Sequence, residues 1–188
     1  MAHDGVAVGP VQFQENSAVI TRYSEDRNGW AVFSDDERYR YELGRTFHGE
    51  LFNKRGYADF VMLNPSTATH EVLDPTLRRC QAFAKIWGCC GFRVYNMLAF
   101  RATDPADLLK VSDPVGPEND AFLSKAGVDA YRLVVGWGAE PIAVERSKTA
   151  LRIFRSDLWC LGTTKAWHPR HPLYVRGDTP LERWSPRT

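Results

Sequence analysis

The sequence predicts an α/β protein. The expected fold is a three-layer α/β/α sandwich on a mostly parallel central sheet of about four strands, with β-hairpin strands added on the N-terminal side. Three observations predict it. Short runs that are apolar on both faces, such as FVML, FRVYNML and YRLVV, alternate with segments of helical spacing, the pattern of a parallel sheet covered by helices. Asp–Pro pairs at 74–75 and 104–105 place an N-cap and a first-turn proline where helices begin. Glycines at 88, 136, 138 and 162 stand where helices or strands stop.

In order along the chain, residues 1–16 read as loosely ordered. Residues 18–45 hold AVITRY, NGWAVFS and ERYRYELGR, β-prone runs split by turn residues such as Asp26–Arg27–Asn28–Gly29, and so a hairpin region. An α/β core is expected over 58–176. Its first strand is Asp59–Leu63. A helix opens at Asp74–Pro75 and carries Leu77, Cys80, Phe83, Ala84 and Trp87 on one face. Phe92–Leu98 is a second strand, and Asp104–Pro105 starts a short helix. Pro117–Ala126 reads as a helix, Tyr131–Val135 as a third strand, Pro141–Phe154 as a helix and Leu158–Leu161 as a fourth strand. The tail after Arg176 reads as a surface extension. With 188 residues and no repeat, the whole is one domain.

Hydrophobic residues make up 44% and charged residues 25%, with a formal net charge of +1. That balance is ordinary for a globular chain and leaves room for a local basic patch. No apolar run reaches membrane-spanning length, and MAHDGVAVGP lacks the basic and apolar regions of a secretory signal. Cys80, Cys89, Cys90 and Cys160 have no metal-binding spacing, which fits reduced thiols in the cytoplasm. Phosphate-loop, dinucleotide, HExxH and GxSxG motifs are absent from the sequence, so neither a cofactor nor a metal is expected.

In open parallel sheets ligands sit beyond the carboxyl ends of the strands. The residues there are Asn64–Pro65–Ser66, Asn96, Gly136–Trp137–Gly138 and the loop TTKAWHPRHPLYV. Asn64 reads equally as a turn residue before proline. Asn96 sits inside apolar sequence, where an amide is either buried with partners or faces a ligand. In the last loop His168 and His171 each precede a proline, which stiffens the backbone that holds the imidazole. Lys165, Arg170 and Arg176 lie near by and could face phosphates, or simply solvent. Ser66 with His171 and Asp74 could form a nucleophilic set, but Ser66 reads as well as a capping serine. Asp74 has a sufficient role as an N-cap, with orientation of a water as the alternative.

The ordered set NPSTA, DPT, NMLAFRATDP, PVGPEND, GWG and HPLY, from about Arg38 to Tyr174, resembles a bacterial family catalogued as a domain of unknown function. More distantly the layout is similar to the uracil-DNA glycosylase superfamily. There the first strand ends in a catalytic Asp or Asn, with an Asn–Pro pair in the mismatch-specific branch, which Asn64–Pro65 matches. Asn96 matches the asparagine that reads the pyrimidine edge. His171–Pro172–Leu173 matches the final His–Pro motif, with His168–Pro169 as competitor. Ser66 replaces the branch's glycine, and no aromatic closely follows Pro65. The resemblance implies a monofunctional, cofactor-free DNA N-glycosylase acting on a flipped-out uracil-like or modified pyrimidine, with defence against phage DNA as one role. Asn64 and Asp74 would orient water, and His171 or His168 would hold the departing base. Asn96 would read its edge and Trp137 would stack on it. Pro65, Ser66, Arg101, Lys165, Arg170 and Arg176 would complete the substrate site. DNA is the expected partner of a monomeric protein with no membrane contact. The rivals are an enzyme of free nucleosides or nucleotides and a non-catalytic binder of modified bases.

Overall fold

A computed structural model describes residues 19–49 and 55–187 of the chain. The expectation for residues 1–16 lies outside the described residues. Eight strands are described: β1 (Val19–Tyr23), β2 (Gly29–Ser34), β3 (Arg40–Thr46), β4 (Tyr57–Met62), β5 (Gly91–Asn96), β6 (Ala130–Val135), β7 (Leu158–Cys160) and β8 (Glu182–Trp184). They form one sheet in the order β1-β2-β3-β5-β4-β6-β7-β8. The helices are α1 (Pro75–Ile86), α2 (Asn119–Leu123) and α3 (Pro141–Ala150), with 3-10 turns at Pro105–Lys110 and Pro172–Tyr174.

This architecture overturns the expected fold class. The sheet has eight strands, not about four, and antiparallel pairing predominates. β1–β2, β2–β3, β3–β5 and β7–β8 run antiparallel, against parallel β4–β5, β4–β6 and β6–β7. Helix is sparse, with α2 only 5 residues and α3 10. The physical reason lies in the open edges of the parallel strands. β5 would leave a row of N–H and C=O groups unpaired, and β3 covers it, with Leu43 opposite Val94 and Arg45 opposite Phe92. The hairpins thereby become part of the central sheet. On the other edge β8 pairs with β7, and its Trp184 is 7% exposed. The tail after Arg176 is therefore more than a surface extension: Glu182–Trp184 joins the sheet and Trp184 the core, while most of its other residues are exposed.

β4 lies between β5 and β6, and alternate residues feed two apolar clusters. Phe60 and Met62 join Leu77, Cys80 and Phe83 of α1. Val61 and Leu63 join Phe122 and Leu123 of α2 and Ala143 and Ala150 of α3. A charged pair crosses the centre of the sheet. Asp59 is fully buried, accepts from Arg93 Nε at 2.7 Å and Nη2 at 2.9 Å, and also takes the Gly127 N–H at 2.8 Å. Such a buried carboxylate persists only because its lone pairs are satisfied.

α1 begins as its sequence dictates. Asp74 accepts from the Leu77 N–H at 2.8 Å, and Pro75 occupies the first helical position. Leu77, Cys80, Phe83 and Ala84 then recur on the buried face. Among the described residues no helix is long and apolar enough to cross a membrane. All four cysteines are free thiols, with Cys80, Cys89 and Cys160 buried.

Candidate active site

A cleft of about 320 Å³ opens beyond the carboxyl ends of β4 and β6. The first wall comes from the turn after β4. The segment after β5 continues alongside it, through Met97 N–H to Met62 O at 2.8 Å, Leu98 N–H to Leu63 O at 2.9 Å and Ala102 N–H to Pro65 O at 3.0 Å. Against this ladder the Asn64 side chain is locked. Its Nδ2 donates to Ala102 O at 2.7 Å and to Pro65 O at 3.0 Å. Both amide protons are engaged, which leaves the Oδ1 acceptor for the cleft that Asn64 lines.

The opposite wall is the loop that carries the histidines. It is held by Arg170 N–H to Gly162 O at 3.0 Å, Thr164 N–H to His168 O at 2.8 Å and Gly138 N–H to Pro169 O at 3.0 Å. Gly136 permits this approach, since a Cβ there would meet Pro172 Cδ at 2.9 Å and Arg170 O at 3.2 Å. His171 caps the Pro172–Tyr174 turn, its Nδ1 accepting from the Leu173 N–H at 3.4 Å. Burial pushes the imidazole below its ordinary range, opposed by the Asp74 carboxylate. A neutral ring that accepts at Nδ1 carries its proton on Nε2 and can donate from there.

The cleft brings together Asn64, Trp137, Arg170 and His171 from the sequence candidates. The others lie elsewhere. His168 lines a different depression with Trp167, Trp184 and Arg187. Ser66 and Arg101 line another, with Thr67. Asp74 is the helix cap and is not a lining residue, though its charge reaches His171. Pro65 is buried, its carbonyl engaged by Asn64 and Ala102. Lys165 is exposed and outside the cleft, and Arg176 is exposed and paired with Asp178 at 3.0 Å.

Two of the expected roles need correction. Asn96 is 1% exposed and does not line the cleft. Its main-chain carbonyl accepts from Asn119 Nδ2 at 3.1 Å, while its side-chain Nδ2 is buried without a hydrogen-bond partner, in the core rather than at the cleft. Trp137 is 2% exposed and packs edge-on against Trp184, ring centres 5.5 Å apart. It forms the floor of the cleft and has no free face on which a base could stack.

Two lining residues escaped the sequence reading. Tyr174 is 72% exposed at the cleft and stands 5.6 Å from the His171 ring. The HPLY motif contained it, and its aromatic character was the available signal. Glu140 is the one carboxylate among the lining residues, and its side chain makes no capping bond to α3. Nothing in EPIAVERS marked it out, because an acid before a helix-starting proline reads as a cap.

Residues 40–173 match the model of a family described as "Protein of unknown function (DUF1643)". No curated protein and no solved structure matches the chain. These comparisons do not confirm the expected likeness to uracil-DNA glycosylases.

Proposed function

The chain belongs to this family, and from its cleft we propose that it is a DNA glycosylase, hydrolysing the N-glycosidic bond of a flipped-out uracil-like or modified pyrimidine. The observation that supports this reading is the convergence of Asn64 and His171 on one cleft. These two residues, distant in sequence, are two of the three that the motifs single out; the third, Asn96, lies in the core.

The chemistry follows from the donor and acceptor pattern. Asn64 Oδ1 accepts a hydrogen bond from the attacking water and orients it, with the amide fixed by Ala102 O and Pro65 O. Glu140 takes the water's proton as the oxygen adds to the sugar C1′. The C1′–N bond breaks, and its electron pair leaves with the base. Neutral His171 donates from Nε2 to the oxygen on which that charge develops. The departing base then takes up a proton. Tyr174, exposed beside His171, stacks on the flipped base, a contact worth about 1–3 kcal/mol. Arg170, whose Nη2 donates to Tyr174 O at 3.1 Å, holds this wall and faces the substrate's negative charge. The enzyme works as a cytoplasmic monomer on DNA, and a bulky modified base would give it a role against phage genomes.

The test is a gel assay. Duplexes carrying uracil, a mismatched T, or hydroxymethylated or glucosylated cytosine are incubated with the protein, and abasic sites are cleaved with alkali. Strand breaks are expected with at least one base. They should vanish in Asn64→Ala and fall by about a hundredfold or more in Glu140→Gln, the range of a lost general base. Intact strands with every base overturn the reading. Turnover of free nucleosides instead would assign the cleft to a nucleoside hydrolase, and retarded but unbroken DNA would assign it to a binder.

A further inference from the structure

The NPSTAT turn serves a second depression. Ser66 and Thr67 do not line the Asn64 cleft. They line a separate hollow of about 330 Å³ with Arg38, Arg101 and Thr103. Among the described residues, the hydroxyls of Ser66, Thr67 and Thr103 and the backbone N–H groups of Ser66 and Thr67 have no protein partner. Donors left open in a turn, beside guanidinium groups, make an anion-binding concavity.

Arg40, Arg45 and Arg101 gather around this turn, with Asp74 acting on Arg40 and Asp26 and Glu71 on Arg45. Arg40 is 2% exposed and donates to Ala68 O at 2.7 Å, while its Nε has no partner. Arg45 donates to Thr69 O at 3.1 Å. Arg101 donates to Glu37 O at 3.1 Å, and its buried Nε is likewise unpartnered. Among the described residues none of these three arginines forms an ion pair. Burial lowers Arg40 to about 10, partly offset by Asp74 and reinforced by Arg101 and Arg45, so it stays charged at neutral pH. Glu37 also lines the hollow, but its carboxylate is paired with Arg22 at 2.9 Å. Asp36 forms an ion pair with Arg38 at 3.9 Å, but both side chains are exposed, where such a pair is weak and can yield to a phosphate.

We propose that this hollow binds a phosphate group, with Arg38 and Arg101 as cations and Ser66, Thr67 and Thr103 supplying neutral donors. Guanidinium forks match phosphate oxygens in pairs. The site is separate from the chemistry of the Asn64 cleft but tied to it mechanically. Ala102 and Pro65, bonded to each other and to the Asn64 amide, stand between the two.

The test is calorimetric titration of the full chain with inorganic phosphate at low ionic strength. Phosphate should bind the wild type. Arg101→Gln and Arg38→Gln should each weaken it about tenfold or more, the loss expected for a charge-assisted hydrogen bond. Arg27→Gln, in the turn between β1 and β2, should leave it unchanged. If Arg101→Gln loses its far-UV spectrum, Arg38→Gln, with a side chain 57% exposed, carries the test alone. Absence of binding to the wild type overturns the site, as does equal binding in Arg38→Gln. Titrations with thymidine monophosphate and with a short single-stranded oligonucleotide separate the sources. Parallel loss of oligonucleotide binding in the variants assigns a phosphodiester, and loss confined to the mononucleotide assigns a monoester. Phosphate binding is read without any cleavage, so this site and the glycosylase reading can fail separately.

Discussion

An asparagine side chain carries two N–H donors and one acceptor, and at Asn64 both donors are committed to main-chain carbonyls. The residue type could be read from FVMLNPSTAT, but the orientation could not, because the partner Ala102 comes from a segment 38 residues later. The same applies to His171. A His–Pro pair announces a stiff loop, yet the cleft chooses His171 over His168 only because the loop folds back on Gly136 and Gly138. The sign of its titration follows from burial. With the imidazole held below its ordinary value of 6.5, neutral His171 persists into mild acid, and the acid limb of base release is expected below pH 6.5. Stability follows the same proton. As pH falls from 6.5 the unfolded chain binds it first, so His171 costs stability between there and its folded pKa, and nothing further below both. Melting temperatures of wild type and His171→Gln, taken from about pH 8 to about pH 5, should differ by a constant amount above 6.5 and diverge from it below.

Helix starts were legible because their causes are local. Asp74–Pro75 and Asp104–Pro105 do what their chemistry predicts, with Asp104 accepting from the Ala106 N–H at 2.9 Å. Replacing Asp74 by alanine should cost about 1 kcal/mol in urea unfolding, the usual loss for a cap. The same variant should move the acid limb of His171 to lower pH, since the carboxylate opposes the burial effect. Helix ends were less legible. The expected Pro141–Phe154 helix stops at Ala150, and Pro117–Ala126 contracts to Asn119–Leu123. Ala126, Ile153 and Phe154 are nonetheless packed into the core. Burial of these residues does not require that the helix continue.

At the scale of the molecule the sheet is closed by sequence that looked peripheral. Trp184 of β8 packs on Trp137, and its Nε1 donates to Trp167 O at 3.1 Å. It therefore braces both the cleft floor and the histidine loop. Trp184→Ala should lose about 3–5 kcal/mol in urea unfolding. Cleavage should weaken as well, because the loop that carries His171 loses its support. A tail that was merely a surface extension would show neither effect.

The sequence by itself determined what depends on neighbours in the chain: apolar strands, proline-started helices, turn residues and the chemical types at strand ends. Only the tertiary structure decided which strands pair and in which direction. It also decided that Asn96 and Trp137 belong to the core while Glu140 and Tyr174 line the cleft. Strand pairing joins segments far apart in the chain, and the unpaired edge of β5 selects β3 by hydrogen bonding that no local pattern encodes. Burial is set by that pairing, and with it the environment that gives each amide, imidazole and guanidinium its role.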